Sequence, residues 1–329
     1  MINNIYPIIK NYGIIPEIKI KKQDKAVIAA KALSSGGLCI AEADFDPEIT
    51  EKAVKEISAK VFDMLIIAGN IKTKKQAETA VNSGAKAVVL KGFDKEALSY
   101  CADVRIPVIP ECEDENEIKT ALSEGLKTVK FVLTDKTNKT KTIKKFRENY
   151  PEVQFILSGE TVTENNLADY LALEQVIACG VPFIYGDENT DTQISEKIKE
   201  NVKRVLYKML GFEFSHVVIN CENDEQAEQY SGKIESIFGF QKKDDGQSVS
   251  NADVLYFMKN RSYGRNGQIS ISTNFMERAA SYLKKINQDL IEESARYGEG
   301  GELVSIYLDS IIGGFAFKLV KKTNRKESM

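Results

Sequence analysis

From residue 13 to residue 211, short apolar and largely β-branched runs alternate with longer segments in which apolar residues recur every three or four positions. The runs read as strands: GIIPEIKI (13–20), LCIAEADF (38–45), MLIIAGNI (64–71), AKAVVLK (85–91), PVIPEC (107–112), TVKFVLT (128–134), QFILSG (154–159) and VIACGVPFI (176–184). Between them lie amphipathic stretches such as DKAVIAAKALSSGG and PEITEKAVKEISAKV, with Gly, Asp, Pro or Thr at most boundaries, as helix caps and turns require. Near-continuous apolar strands imply burial on both faces and hence a parallel sheet. Eight strand–helix units in about 200 residues match a (β/α)8 TIM barrel. An open doubly wound sheet also holds eight strands, but no G-x-G-x-x-G follows the first one. The predicted class is α/β, with a TIM barrel over residues 1–210.

The pattern changes over residues 212–320. HVVINC (216–221) precedes a helical stretch, NDEQAEQYSGKIESIFG, and short strands including DVLYFMK (253–259). The order then repeats with QISIST (268–273), the helical NFMERAASYLKKIN, LVSIYLD (303–309) and GGFAFKLV (313–320). Two similar modules form an internal repeat and a smaller α+β domain over residues 211–329. The boundary falls near Leu210–Gly211, after the amphipathic ISEKIKENVKRVLYKML.

Composition narrows the function. The 329 residues are 43% hydrophobic and 28% charged, so each domain can bury a core and stay soluble. With 45 Lys and Arg against 48 Asp and Glu, the net charge of −3 offers no basic excess for nucleic acid. No apolar run approaches the roughly 20 residues that span a bilayer. MINNIYPIIKNYG does not read as a secretory leader, so a cytoplasmic protein without a membrane partner is expected. Five scattered cysteines and a single histidine, His216, argue against a disulfide framework and a Cys/His zinc site. Any chemistry must come from Lys, Glu, Asp, Tyr or backbone groups.

Barrel chemistry gathers at the C-terminal ends of the strands. Lys130 sits inside the apolar TVKFVLT, and Glu42 inside LCIAEADF. A desolvated lysine with a depressed pKa supplies the neutral amine that attacks a ketone. A nearby carboxylate can pair with it or shuttle protons. The same two residues can equally be a buried ion pair that fills a barrel layer.

GIIPEIKIKKQDKAVIAAKALSSGGLCIAEADF resembles the opening of the 2-keto-3-deoxy-6-phosphogluconate (KDPG) and 4-hydroxy-2-oxoglutarate (KHG) aldolases. The similarity continues in order through MLIIAGNI, SGAKAVVLKGF, IPVIPE, EGLKTVKFVLTD, FILSGETVTENNLADYLAL and VIACGVPFI, over roughly residues 1–209. The resemblance implies a class I aldolase that splits a 2-keto-3-deoxy sugar acid into pyruvate and an aldehyde, without a cofactor. It places the Schiff-base lysine on Lys130, the proton-shuttling glutamate on Glu42, and Asn70, Lys91, Gly159 and Gly180 around the pocket. It also implies a homo-oligomer, commonly a trimer.

Several positions depart from the family pattern. Asp46 stands where an arginine is usual, Asn70 replaces a threonine, Lys91 a proline, and Val132 an aromatic residue. The Gly-Gly after the seventh strand reads Gly159-Glu160, and the Gly-Gly-Ser after the eighth reads Gly180-Val181-Pro182. Phosphate sites need close backbone approach and free N–H donors; Pro182 removes one donor and Glu160 adds negative charge. A non-phosphorylated 2-keto acid, or a barrel that has lost turnover, fits these changes better than a 6-phosphorylated substrate.

The second domain resembles the vicinal oxygen chelate (glyoxalase-like) family of paired βαβββ modules. By that resemblance His216 matches one metal-ligand position, but Gln268 and Lys318 stand at others, so no metal is expected. SYGRNGQ (262–268), with Arg261 and Arg265 nearby, reads either as an anion grip or as a solvated turn. Three functions follow in order: a carbon–carbon lyase acting through Lys130 and Glu42, a small-acid binding or regulatory barrel without turnover, and a metal-dependent isomerase in the second domain.

Overall fold

The computed structural model describes residues 5–18, 23–45, 49–134, 143, 145–146, 148–184 and 191–322. The chain divides into two compact units, Met1–Met209 and Leu210–Met329.

In the first unit, strands β1 (Ile14–Ile18), β2 (Ile40–Asp44), β3 (Leu65–Ile71), β4 (Ala87–Lys91), β5 (Val108–Cys112), β6 (Thr128–Val132), β7 (Gln154–Ser158) and β8 (Val176–Val181) close in sequence order into a barrel. Every pair is parallel, and β8 closes onto β1 through Ile14 beside Cys179 and Ile15 beside Gly180. Helices intervene as the three-and-four periodicity demands, several of them capped by side chains. Thr73, Asp94 and Asp114 each accept a backbone N–H of the first turn that follows.

Ile15, Ile40, Ile67, Val89, Ile109, Ile156 and Ala178 form an apolar layer drawn from seven strands. Ile5 and Ile9, from the helix Tyr6–Tyr12 and the residue before it, join that layer and seal the N-terminal end of the barrel. Tyr6 Oη donates to the carbonyl of Val108, the first residue of β5. Gly13 ends this helix at φ 70°, a left-handed conformation that costs glycine little, and turns the chain directly into β1.

The predicted eighth strand is too long. β8 stops at Val181, and Pro182–Ile184 turn as a 3-10 helix. Pro182 has no N–H to donate to a ladder, so pairing ends before it. Residues 19–20 at the end of the first predicted strand and the position of Asp46 lie outside the described residues.

The second unit contains one eight-stranded sheet, with β9 (Glu213–Asn220), β10 (Lys242–Asp244), β11 (Ser248–Asn251), β12 (Leu255–Met258), β13 (Gly267–Thr273), β14 (Leu290–Tyr297), β15 (Leu303–Ile312) and β16 (Phe315–Lys321) in the order β10-β11-β12-β9-β13-β16-β15-β14. β9 and β13 pair antiparallel at its centre, and each has its parallel partner, β12 or β16, on its other side. The helix Asp224–Phe238 follows β9, and the helix Met276–Lys285 follows β13. Asn223 caps the first of these helices, and Gly239 ends it in the left-handed region.

Candidate active site

Strand side chains alternate between faces, so a residue two places after an inward apolar one also points inward, one layer closer to the C-terminal end. Applied to Ile15, Ile40, Ile67, Val89, Ile109, Ile156 and Ala178, this rule yields Glu17, Glu42, Gly69, Lys91, Glu111, Ser158 and Gly180. Lys130 completes the set from β6. The upper layer of the barrel is therefore polar, and it lies where the sequence argument looks for chemistry.

Lys130 Nζ donates to Glu42 Oε1 at 2.7 Å and lies 2.8 Å from Glu17 Oε1. Ser158 Oγ donates to the same Glu17 oxygen at 2.6 Å. The Lys130 side chain is 7% exposed, and those of Glu42 and Glu17 are 10% and 21% exposed. Two glycines make room for the carboxylates. A Cβ on Gly69 would stand 2.5 Å from Glu42 Oε1, and one on Gly180 would collide with the carboxylate of Glu17. Gly180 thus has a steric role beside Glu17.

Next to this cluster, Lys91 Nζ lies 3.3 Å from Glu111 Oε1, and the two residues are register partners on β4 and β5. Glu111 is in turn the register partner of Lys130. Three carboxylates (Glu17, Glu42, Glu111) thus face two amines (Lys91, Lys130), a formal charge of −1 when all are ionised.

The electrostatics correct one expectation. Burial alone would lower the pKa of Lys130, but the charges of Glu42 and Glu17 outweigh it and hold the ammonium above the ordinary lysine value. The resting amine is protonated, not neutral. The carboxyl group of Glu42 goes the other way from a simple ion pair: burial raises it to about 7, against the pull of Lys130 and with the help of the Glu17 charge. A proton on Glu42 leaves the Glu17–Lys130–Glu42 cluster neutral, the cheapest state for a buried group.

The remaining sequence candidates scatter around this layer. Asn70 is exposed at the end of β3, in the left-handed region at φ 57°, where the register with β4 shifts. Gly159 follows β7 at φ 112°, and a Cβ there would press on the backbone of Leu133. Glu160 and Pro182 are exposed, and Val132 is partly buried after Lys130. Sequence reasoning missed Glu17, Glu111, Ser158 and Gly69. Glu17 in IIPEI and Glu111 in VIPEC carry the signal that identified Lys130 and Glu42, a charge inside an apolar strand.

In the second unit, His216 is partly buried on β9, with Nδ1 3.1 Å from Ser215 Oγ and its ring edge-on to Tyr256. Gln268 is buried and accepts from Tyr307 Oη and Ser262 Oγ. Lys318 Nζ stands 5.2 Å from the Tyr307 ring. The turn bearing Arg261 and Arg265 is tied down by Asn220 Nδ2, which donates to the carbonyls of Ser262 and Gly264, while both arginines are exposed. Among the described residues, no group of three or more His, Cys, Asp or Glu is placed to hold a metal. None of the described helices is long and apolar enough to cross a membrane.

Residues 5–200 match the family model of KDPG and KHG aldolase. A 2-dehydro-3-deoxy-phosphogluconate aldolase of Treponema pallidum is 31% identical over 176 residues, spanning 54% of this chain and 83% of the relative. The KHG/KDPG aldolase of Escherichia coli K12 is 26% identical over 197 residues, 58% of this chain and 92% of the relative. Among solved structures, the KDPG aldolase of Legionella pneumophila, with pyruvate captured as a covalent carbinolamine, superposes with a TM-score of 0.57 at 25% identity. The match covers 61% of this chain and 98% of that one.

Proposed function

The chain belongs to the KDPG and KHG aldolase family through its N-terminal unit, and on that premise we propose a class I aldolase in which Lys130 is the Schiff-base lysine and Glu42 its proton shuttle. The observation that carries the proposal is the 2.7 Å contact between Lys130 Nζ and Glu42 Oε1 inside the barrel. A protonated lysine is no nucleophile, and a carboxylate in direct contact is the shortest route for its proton.

The neutral amine of Lys130 adds to C2 of a 2-keto acid, and the surplus proton of the new ammonium nitrogen moves to the former carbonyl oxygen to give a carbinolamine. Glu42 returns its proton to the departing hydroxyl, which leaves as water, and the nitrogen becomes an iminium. Glu42 then takes the proton of the C4 hydroxyl as the C3–C4 bond breaks. That electron pair enters the iminium to form an enamine, and the aldehyde leaves. Protonation at C3 and hydrolysis release pyruvate and restore Lys130. Asn70, Lys91, Gly159 and Gly180 border the pocket in this reading. The excess of carboxylates in the polar layer favours a substrate of low negative charge, without a phosphate.

The double carboxylate clamp on Lys130 also favours a second reading, a small-acid binding barrel without turnover, because two negative charges stabilise the unreactive ammonium. Intact mass after incubation with pyruvate and sodium borohydride separates the two. A reduced pyruvate adduct on Lys130 is expected of the aldolase. A folded protein without the adduct would establish the binding barrel instead.

We read the second unit as paired βαβββ modules of the glyoxalase-like kind serving binding or assembly, and the whole chain as a homo-oligomer, testable by light scattering.

A further inference from the structure

One face of the C-terminal sheet carries two cations that no carboxylate balances among the described residues. His216 on β9, Ser270 on β13, Lys318 on β16 and Tyr307 on β15 are successive register partners, so they form a single row across four adjacent strands. Residues paired in this way project from one face. That face is opposite the one where Ile219, Val249 and Phe257 pack with Ala227 and Ile234 of the helix Asp224–Phe238.

Arg296 is the register partner of Ser305, two residues before Tyr307, and so joins the same face from β14. Neither Lys318 nor Arg296 has a carboxylate partner among the described residues, although Lys321 at the end of β16 and Lys322 just after it pair with Glu302 and Glu213. Burial and the charge of Arg296 both lower the pKa of Lys318, the reverse of the effect at Lys130. Ser270 Oγ is fully buried and makes no hydrogen bond. Beside the row, the Tyr263 and Tyr307 rings stack with centroids 4.2 Å apart, and Gln268 fixes Tyr307 through its hydroxyl.

These residues lack the same thing. Two cations without an anion and a hydroxyl without an acceptor all call for a negatively charged oxygen. Two positive charges repel a metal ion, and the tyrosine pair offers a planar apolar wall to whatever carries the charge.

We propose that this row of the C-terminal sheet binds a small organic carboxylate, with its oxygens between Lys318, Arg296 and Ser270 and its carbon skeleton against the Tyr263–Tyr307 pair.

The inference is independent of the aldolase reading, and one experiment tests it. Calorimetric titration of the full chain with sodium benzoate, sodium succinate and inorganic phosphate should give saturable binding of a carboxylate with Kd at about 1 mM or below. Lys318→Gln and Arg296→Gln should each weaken that binding about tenfold, the worth of a charge-assisted hydrogen bond. Lys130→Ala should leave it unchanged. Absence of saturable carboxylate binding, phosphate binding alone, or wild-type affinity in both variants would overturn the proposal. If Lys318→Gln fails to fold, NMR of the wild-type chain with 13C-dimethylated lysines decides: benzoate should raise the pKa of Lys318, and an unchanged titration would overturn it.

Discussion

Glu17 and Glu42 are register partners on neighbouring strands, and both carboxylates reach the single ammonium of Lys130, at 2.8 Å and 2.7 Å. One amine between two acids is not a simple ion pair. The cluster carries a net negative charge when fully ionised, and its most buried carboxyl takes up a proton near neutral pH. Four expectations follow from that arrangement.

The first concerns pH. If Glu42 must be ionised to receive the proton of Lys130, kcat/KM for aldol cleavage rises as pH increases through about 7, where Glu42 titrates. Glu42→Gln should remove this limb and lower kcat by roughly 10²- to 10⁴-fold. Rates measured from acid to mildly alkaline pH check both.

The second separates the two carboxylates. Glu17→Gln removes one of the charges that hold Lys130 protonated while keeping an acceptor for Ser158. Each unit by which the lysine pKa falls makes the free amine about tenfold more abundant. Borohydride trapping with pyruvate should therefore quicken in this variant at neutral pH. Slower trapping would put Glu17 on the proton path instead.

Stability gives a third test. Because the native pKa of Glu42 is raised to about 7 from 4.5, the folded state binds a proton that the unfolded state releases. Its contribution therefore weakens as pH climbs from 4.5 to 7 and is level above that. The raised pKa of Lys130 has the usual sign for a lysine with partners. Its contribution is intact below the ordinary lysine value and is lost only in strong alkali. Glu42→Gln, neutral at every pH, should be more stable than the wild type at pH 8 by ~2 kcal/mol, with the gap closing in acid. Urea unfolding at the two pH values measures it.

Gly180 provides the fourth. A methyl group there would lie 2.9 Å from Glu17 Cδ and 3.1 Å from Ser158 Oγ. Gly180→Ala should cost about 1–3 kcal/mol by overpacking. In a Glu17→Ala background the same change should cost markedly less, and a double-mutant cycle reports the coupling.

Much of this was legible in the chain. The eight barrel strands fall where apolar runs predict them, and Lys130 and Glu42 stand out because a charge inside such a run needs an explanation. Glu17 and Glu111 carry the same signal but sit beside a proline near the end of their strands, where a polar residue reads as an exit into solvent. The sign of the Lys130 shift was not legible. It depends on residues from β1 and β2 converging with β6 across the barrel, which no single-strand pattern encodes. In the second unit, β14 (LIEESARY) escaped notice because it is a largely exposed edge strand without an apolar face.

The helix Tyr6–Tyr12 gives the barrel a floor. With Ile5 and Ile9 packed against the apolar layer, that end of the barrel is closed, and a molecule that reaches the polar layer from the C-terminal face must leave by the same route. The proposed two-product cleavage would then run as a queue, with the aldehyde departing first and water reaching the tethered carbon only afterwards. On the proposed aldolase reading pyruvate leaves last, so added pyruvate should compete with substrate, while added aldehyde should not.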